Sequence, residues 1–256
     1  MKILVCYKIV PDEQDIVVNP DYTISLDQAE RIIGQYDFNA VEAAMQIKES
    51  REDTEVCVLT AGGSWVGDAK LKKAVLSRGP GEMFGVRDER LETADSYTLS
   101  DVLKAAIGKI GNIDLVICGE GSGDFYQQQM GNMLGQKLGW ATLNGISKIE
   151  TVQDKLIVER NTETETEEYE VELPVVISVT SDINLPRIAS FKEIMGAGKK
   201  PSTIWSLEEL GIEPENRVNY MSVLAPEQAD RKKIIIEGDS EEKIEEFLNY
   251  IRTGGK

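Results

Sequence analysis

Short apolar runs alternate with amphipathic segments through most of this chain. The apolar runs lie at residues 3–7, 55–59, 83–86, 114–118 and 174–179. Runs of this length are typical of strands buried on both faces of a sheet. Segments with helical periodicity lie between them, at 38–48, 70–77, 95–110 and around 133–138. This alternation predicts an α/β fold, with a mostly parallel sheet that is covered by helices on both faces.

A glycine-rich loop follows the apolar run that ends at Cys118. Glycine occupies positions 119, 121, 123 and 131, and a predicted helix follows. Glycine lets the backbone approach a ligand closely, and a helix N-terminus attracts phosphate. The spacing matches neither the dinucleotide fingerprint nor the P-loop, so a plain strand-to-helix connection remains an alternative. We expect Asp124 to cap the helix or to contact a ribose, because a carboxylate beside a diphosphate is unfavourable.

Other loops follow the predicted strands and are expected at the same edge of the sheet. They are residues 6–11, residues 60–64 and the loop after Val86. The carboxyl ends of parallel strands are where ligands bind in such sheets. Ser96 and Thr98 open the next helix, and their hydroxyls can cap it or bind phosphate. Asp37 is predicted to be the N-cap of the helix that begins at Phe38. Together these features predict a nucleotide site.

The composition excludes several classes of protein. A net charge of −17 argues against nucleic acid or an anionic membrane as the main partner. The chain has no histidine, which removes Ser-His-Asp and Cys-His nucleophile systems and histidine metal sites. Its three cysteines have no C-x-x-C spacing and are predicted to be buried, reduced thiols. Neither a signal peptide nor an apolar run of 18 residues is found, so we expect a cytoplasmic protein without membrane insertion.

The pattern changes after Gly139. Residues 155–159 and 168–171 are predicted to form two antiparallel strands. Residues 202–226 are predicted to be irregular and to lie along another surface, and 233–236 to form a strand. Ser240 is predicted to cap a final helix, whose apolar stripe is Ile244, Phe247, Leu248 and Ile251. We therefore expect an α/β core at 1–185 and a second part at 186–256, an irregular arm that ends in a helix and lies along another surface.

Four stretches of the sequence resemble the β subunit of electron-transfer flavoprotein. They are KILVCYKIVPD from Lys2, DFNAVEAA from Asp37, GEGSGDFYQQQMG from Gly119, and SDINLPRIASFKEIMGAGKKP from Ser181. The last is the most specific, and the GEGSGD loop is closest to the anaerobic and carnitine-type branch. The resemblance implies a core like that of adenine nucleotide α-hydrolases and universal stress proteins.

The resemblance also implies a function. Members of the family pair with an α subunit that holds an electron-transferring FAD, while the β core holds AMP or a second FAD. In members with two flavins, the FAD in β accepts hydride from NADH. One electron goes to ferredoxin or flavodoxin, and the other passes through the α-subunit FAD to an acyl-CoA dehydrogenase or reductase.

The branch resemblance favours FAD and electron bifurcation in this chain. A conventional carrier subunit with structural AMP is the alternative. A nucleotide-binding stress or signalling protein is disfavoured by the segment 186–201 and by the long C-terminal arm. The flavin carries the redox chemistry in either case, so the chain alone is not a complete enzyme.

The resemblance assigns two sets of residues. The nucleotide-binding set is Cys6, Lys8, Tyr36, Asp37, Ala61, Gly62, Gly63, Ser96, Thr98, Gly119, Gly121, Ser122, Gly123, Asp124, Gln129 and Gly131. A loop at 182–200 is expected to dock the partner dehydrogenase, and its binding set is Arg187, Phe191, Ile194, Met195, Lys199 and Lys200. Phe191 stands where leucine is common in the family, which implies a differently shaped partner pocket.

Overall fold

The computed structural model describes residues 1–152, 155–227 and 233–254. The strands are, in chain order, β1 (Lys2–Cys6), β2 (Ile9–Pro11), β3 (Val17–Val18), β4 (Ile24–Ser25), β5 (Arg31–Ile33), β6 (Glu55–Gly62), β7 (Glu82–Arg87), β8 (Leu115–Gly119), β9 (Ala141–Val152), β10 (Lys155–Asn161), β11 (Thr166–Glu172), β12 (Val175–Val179) and β13 (Ser202–Trp205). The α-helices are α1 (Gln35–Ser50), α2 (Ala69–Leu76), α3 (Ser96–Ile110), α4 (Met130–Leu138), α5 (Phe191–Ala197), α6 (Leu207–Leu210) and α7 (Glu241–Arg252).

Nine of these strands form one sheet. Its order is β11-β10-β9-β12-β8-β1-β6-β7-β13. From β9 to β13 every neighbouring pair is parallel, whereas β10 and β11 add an antiparallel hairpin at one edge. The two remaining pairs, β2 with β5 and β3 with β4, are small antiparallel ribbons outside the main sheet. The predicted mostly parallel sheet is confirmed.

Helices cover both faces of the sheet, as predicted. On one face, α1 and α2 pack against strand residues such as Ile3 and Val5. On the other, α3 and α4 pack against residues such as Leu4 and Val116. Successive residues of a strand point to opposite faces, and here both faces are buried, so the central strands are apolar throughout.

The connections between strands create a crevice beside β1. From β1 the chain passes to β6 and then to β7, with α1 and α2 on one face. It then returns across the sheet to β8, on the other side of β1, with α3 and α4 on the opposite face. The strand order therefore reverses between β1 and β8. In doubly wound sheets, ligands bind at the carboxyl ends of the strands at such a point.

Two predictions for regular structure in the C-terminal half are wrong. Residues 202–210 were predicted to be irregular, but they form β13 and α6, because Leu207 is fully buried and the strand pairs with β7. Residues 233–239 were predicted to contain a strand, but they form no regular structure and pair with no described strand. The final helix is confirmed: Ser240 accepts the Lys243 N–H as its N-cap, and its apolar stripe is exposed.

The long strand β9 was not predicted. Its sequence contains Asn144-Gly145, a dipeptide that usually marks a turn. In the structure Gly145 has φ of 69°, and the pairing register with β12 shifts between Ile177 and Val179. A glycine in the left-handed region within such an irregularity is a bulge, so the strand continues through the apparent turn.

None of the helices in the described part of the chain is both long enough and apolar enough to span a bilayer.

Candidate functional site

A cavity of about 110 Å³ lies at the crevice between β1 and β8. It is enclosed by the residues that follow these two strands, by the end of β6 and by the first turns of α1, α3 and α4. Its lining residues are Cys6, Tyr7, Lys8, Asp37, Ala61, Ser96, Leu99, Leu103, Cys118, Gly119, Glu120, Gly121, Ser122, Phe125, Gln127, Gln128, Gln129 and Met130.

One side of the cavity is apolar. Leu99 and Leu103 are one helical turn apart on α3, and Met130 begins α4. The thiols of Cys6 and Cys118 lie beside them and are register partners on β1 and β8. A hydrogen bond with Cys118, together with burial, raises the pKa of Cys6 well above its usual range. This side therefore offers uncharged, polarizable contacts that suit a flat heterocycle.

The carboxyl group of Asp37 is buried at the base of the cavity. Its Oδ2 accepts the backbone N–H of Lys8 at 2.7 Å. Burial raises the pKa of Asp37 to about 7, against the opposing effects of the Lys8 hydrogen bond and charge. Asp37 was predicted to cap α1, and this is wrong: the helix begins three residues earlier than predicted, at Gln35, with Gly34 at the N-cap. The carboxylate instead bonds across to the chain that leaves β1.

Close packing at the base of the cavity requires glycine at position 119. A Cβ added there would lie 2.8 Å from the Tyr36 Cβ and 2.9 Å from the Asp37 Oδ1. Such distances are below those that real side chains show, so a larger residue would push α1 away from β8.

Asp124 holds the ammonium group of Lys8. Asp124 Oδ2 lies 2.5 Å from Lys8 Nζ, and Oδ1 accepts the Ser122 hydroxyl at 2.5 Å and the Phe125 N–H at 2.8 Å. Burial alone would raise the pKa of Asp124, but Lys8 and these hydrogen bonds lower it. Asp124 does not cap the following helix, because α4 begins six residues later at Met130. The predicted capping role of Asp124 is therefore wrong.

The N-terminus of α4 faces the cavity. Gln129 and Met130 line the cavity, and within the described residues no side chain caps this helix. The first-turn N–H groups of an uncapped helix are free donors at the positive end of the dipole. Ser96, at the start of α3, also lines the cavity, and its hydroxyl donates to Gln127 Oε1 at 2.5 Å. The free N–H groups of α4 are therefore the donors that suit a phosphate group.

The cavity brings together part of the predicted nucleotide set. The predicted residues that line it are Cys6, Lys8, Asp37, Ala61, Ser96, Gly119, Gly121, Ser122 and Gln129. The predicted residues outside its lining are Tyr36, Gly62, Gly63, Thr98, Gly123, Asp124 and Gly131. The Thr98 hydroxyl donates to the Glu215 carbonyl at 2.8 Å, and a Cβ at Gly131 would lie 2.8 Å from Asn144 Oδ1. These two residues serve packing within the chain.

The apolar side of the cavity was missed by the predictions. Leu99 and Leu103 lie three and seven residues after Ser96, so all three share a face of α3. That spacing would have identified them once Ser96 was placed at the site. Phe125, Gln127 and Gln128 had no such signal, because they belong to an irregular loop.

Two cations of the predicted partner-binding set are held within the chain. Arg187 donates to the buried Glu42 from Nε at 2.6 Å and from Nη2 at 3.0 Å, and to Glu49 at 2.7 Å. Lys200 Nζ donates to backbone carbonyls just after α2, including that of Pro80 at 2.7 Å. Both side chains therefore hold the segment 181–201 against the core.

The apolar residues of the same segment face outward. Phe191 is 80% exposed and Met195 62% exposed, and Leu185 and Ile188 are each more than 90% exposed. A capping box of Ser190 and Glu193 begins α5 and fixes this turn of helix. Contiguous exposed apolar side chains on a folded segment are typical of an interaction surface.

An α/β fold with a cavity at its switch point is typical of nucleotide-binding proteins. Residues 23–210 of the chain match the family model of the electron transfer flavoprotein domain. The match covers more than half of the 256 residues, and the chain belongs to the electron transfer flavoprotein family. The family predicted from the four sequence stretches is thereby confirmed. The subunit, the branch and the nucleotide stay predictions.

Proposed function

We propose that the chain is the β subunit of an electron-transfer flavoprotein and that its cavity binds the adenosine phosphate part of FAD. The observation that carries the proposal is the cavity itself, where the uncapped N-terminus of α4 lies next to an apolar side. Family membership supports a flavoprotein function.

The residues present fit an adenosine phosphate. Leu99, Leu103 and Met130 offer apolar contact to an adenine ring. The buried carboxyl group of Asp37 can accept a hydrogen bond from an adenine or ribose donor. The free N–H groups of α4 can donate to phosphate.

The chain's own groups bind and orient, because bound FAD supplies the redox chemistry. We propose NADH as the electron donor, with ferredoxin or flavodoxin and the α-subunit FAD as acceptors. The support for this bifurcating role is the likeness of the loop from Gly119 to Asp124 to the anaerobic and carnitine-type branch.

Two surfaces are proposed to bind protein partners. The first is the exposed apolar group of Leu185, Ile188, Phe191 and Met195, which we assign to an acyl-CoA dehydrogenase or reductase. The second is the exposed stripe of α7, which we assign to the α subunit. Arg187 and Lys200 support the first surface from within the chain. The division into a core at 1–185 and a partner-binding part at 186–256 is kept as a proposal.

A conventional carrier subunit with structural AMP is the second candidate. The observation that favours it is the size of the cavity, about 110 Å³, because a mononucleotide requires less enlargement of the cavity than a dinucleotide does. In this role the nucleotide of the chain accepts no hydride from NADH and only stabilises the fold.

Binding of AMP to the full chain tests the site, because AMP is common to both candidates. Gln129→Glu puts a negative charge at the N-terminus of α4, where it opposes a phosphate. We expect this variant to weaken AMP binding at least tenfold in calorimetric titration. Gln28→Glu makes the same change at an exposed residue outside the cavity lining and serves as the control. Equal affinity in the two variants would contradict the proposed site.

A further inference from the structure

A C-terminal strap, residues 215–225, runs past the outer wall of the cavity. It begins beside the N-terminus of α3, passes the loop between β8 and α4, and reaches the hairpin of β3 and β4. The strap lies outside the cavity lining, and it is held at three points.

The first anchor is the buried carboxylate of Asp95. Asp95 Oδ2 accepts the backbone N–H groups of Arg217 at 2.6 Å and Val218 at 2.8 Å. The Asn216 side chain adds two hydrogen bonds of 3.1 Å. Its Oδ1 accepts the Asp95 N–H, and its Nδ2 donates to the Thr93 carbonyl. Asp95 is also the N-cap of α3, so one side chain fixes both the helix and the strap.

The second anchor lies at the far end of the strap. Leu224 forms an antiparallel bridge with Thr23, and the Ala225 N–H donates to the Tyr22 carbonyl at 2.8 Å. This hydrogen bond joins the residues next to the bridge, so Thr23 and Leu224 form a non-hydrogen-bonded antiparallel pair. Cα atoms in such pairs are about 4.5 Å apart.

Between the anchors, Tyr220 holds the wall of the cavity. Its ring stacks on Phe125, with centroids 4.8 Å apart and planes at 12°. Its hydroxyl accepts a hydrogen bond from Gln127 Nε2. Phe125 and Gln127 both line the cavity, and Gln127 is bonded to Ser96 on the opposite side. The strap is thus connected to two residues of the cavity lining.

The cavity is smaller than a typical ligand site. Its volume is about 110 Å³, whereas ligand sites in proteins typically have about 300–1,000 Å³. A nucleotide that enters has to displace part of the lining, and displacement of Phe125 and Gln127 would break their contacts with Tyr220.

We propose that the strap is a latch that controls the exchange of the nucleotide. With residues 215–225 in place, the loop between β8 and α4 is held closed and a bound adenine nucleotide is retained. With the strap released, the loop opens and the nucleotide exchanges. This inference rests on the nucleotide site of the proposed function, and AMP is the probe for both.

A reversible crosslink tests the latch in the full chain. The double variant Thr23→Cys and Leu224→Cys places two thiols at a spacing that a disulfide can span. Radiolabelled AMP is bound to the reduced protein, the disulfide is formed, and release is followed after addition of excess unlabelled AMP. We expect release to be at least tenfold slower in the oxidised form and to recover after reduction. Thr23→Cys alone is the control and should release AMP equally in both states.

A second variant weakens the latch without a crosslink. Asn216→Ala removes two hydrogen bonds of the first anchor and leaves the cavity lining intact. We expect AMP release to be several-fold faster than in Asn249→Ala, the same change at an exposed residue of α7 outside the strap.

The outcomes distinguish a failure of the latch proposal from a failure of the proposed nucleotide site. Failure of the reduced protein to bind AMP would overturn the proposed nucleotide site. Binding of AMP with the same release rate in the oxidised, reduced and Asn216→Ala forms would overturn the latch alone. If the disulfide does not form, the comparison of Asn216→Ala with Asn249→Ala decides.

Discussion

The Asp37 carboxylate accepts the backbone N–H of Lys8 at 2.7 Å, and this bond joins the first turn of α1 to the chain that leaves β1. The carboxyl group is buried at the base of the candidate site, and its pKa is raised to about 7. Since the ordinary value is 3.8, the folded protein binds this proton more tightly than the unfolded chain does.

Stability should therefore depend on the ionisation of Asp37. Its contribution is fully present below about pH 4 and is lost as the pH rises through 7, because burial opposes the charged form. We expect the free energy of unfolding of Asp37→Asn, relative to wild type, to rise between pH 4 and 7 and then to level off. Chemical denaturation at several pH values measures this difference. A difference that does not change with pH would contradict the raised pKa.

Arg187 should contribute to stability more than to docking. Its removal leaves the buried Glu42 carboxylate without its partner, at a cost of about 2–4 kcal/mol. We expect Arg187→Ala to lower the free energy of unfolding by this order and Glu42→Gln in the same chain to recover part of the loss. Lys199→Ala, in the same segment, should change stability by less than about 0.5 kcal/mol. A stable Arg187→Ala variant would instead support a direct role in partner binding.

Phe191 should act in docking alone. Because its side chain is 80% exposed, Phe191→Ala is expected to leave the melting temperature and the nucleotide content unchanged. We expect reduction of the partner dehydrogenase to be slowed at least tenfold, as for an aromatic anchor. Val152→Ala, at a half-exposed residue of β9, is the control. Loss of nucleotide from Phe191→Ala would show that the residue is structural.

Two glycine substitutions should have opposite effects. Gly119→Ala forces a Cβ against Tyr36 and Asp37, so we expect a loss of about 1–3 kcal/mol in stability and weaker AMP binding. Gly108→Ala lies in α3 with open space around the added Cβ, and it should gain about 0.5–1 kcal/mol from helix propensity. Thermal unfolding and AMP titration of both variants measure the contrast. Equal stability of the two would mean that α1 does not pack against Gly119 as described.

The sequence predicted the sheet and the edge that holds the cavity because both depend on local patterns. Continuous apolar runs mark the buried strands, and the loops that follow them must converge where parallel strands end. Local patterns failed at β9, where Asn144-Gly145 looks like a turn and is instead a bulge. At β9 the pairing with β10 and β12, rather than the local sequence, decides the structure.

Contacts between distant residues were beyond the reach of these patterns. Asp95 and Arg217 are 122 positions apart, and nothing in either stretch indicates that the carboxylate at the N-cap of α3 holds the strap. Arg187 and Glu42 are 145 positions apart, and nothing in the sequence pairs Arg187, which the resemblance assigns to partner binding, with that carboxylate. Only the folded chain shows that each side chain already has its counterpart.

The nucleotide content of the purified complex with the α subunit tests the central claim most directly. The protein is denatured, and the released FAD and AMP are separated and quantified per heterodimer. Two FAD and no AMP are predicted, with one FAD in the cavity of this chain. One FAD and one AMP would contradict the bifurcating role and support the conventional carrier. One FAD with no second nucleotide would contradict the candidate site itself.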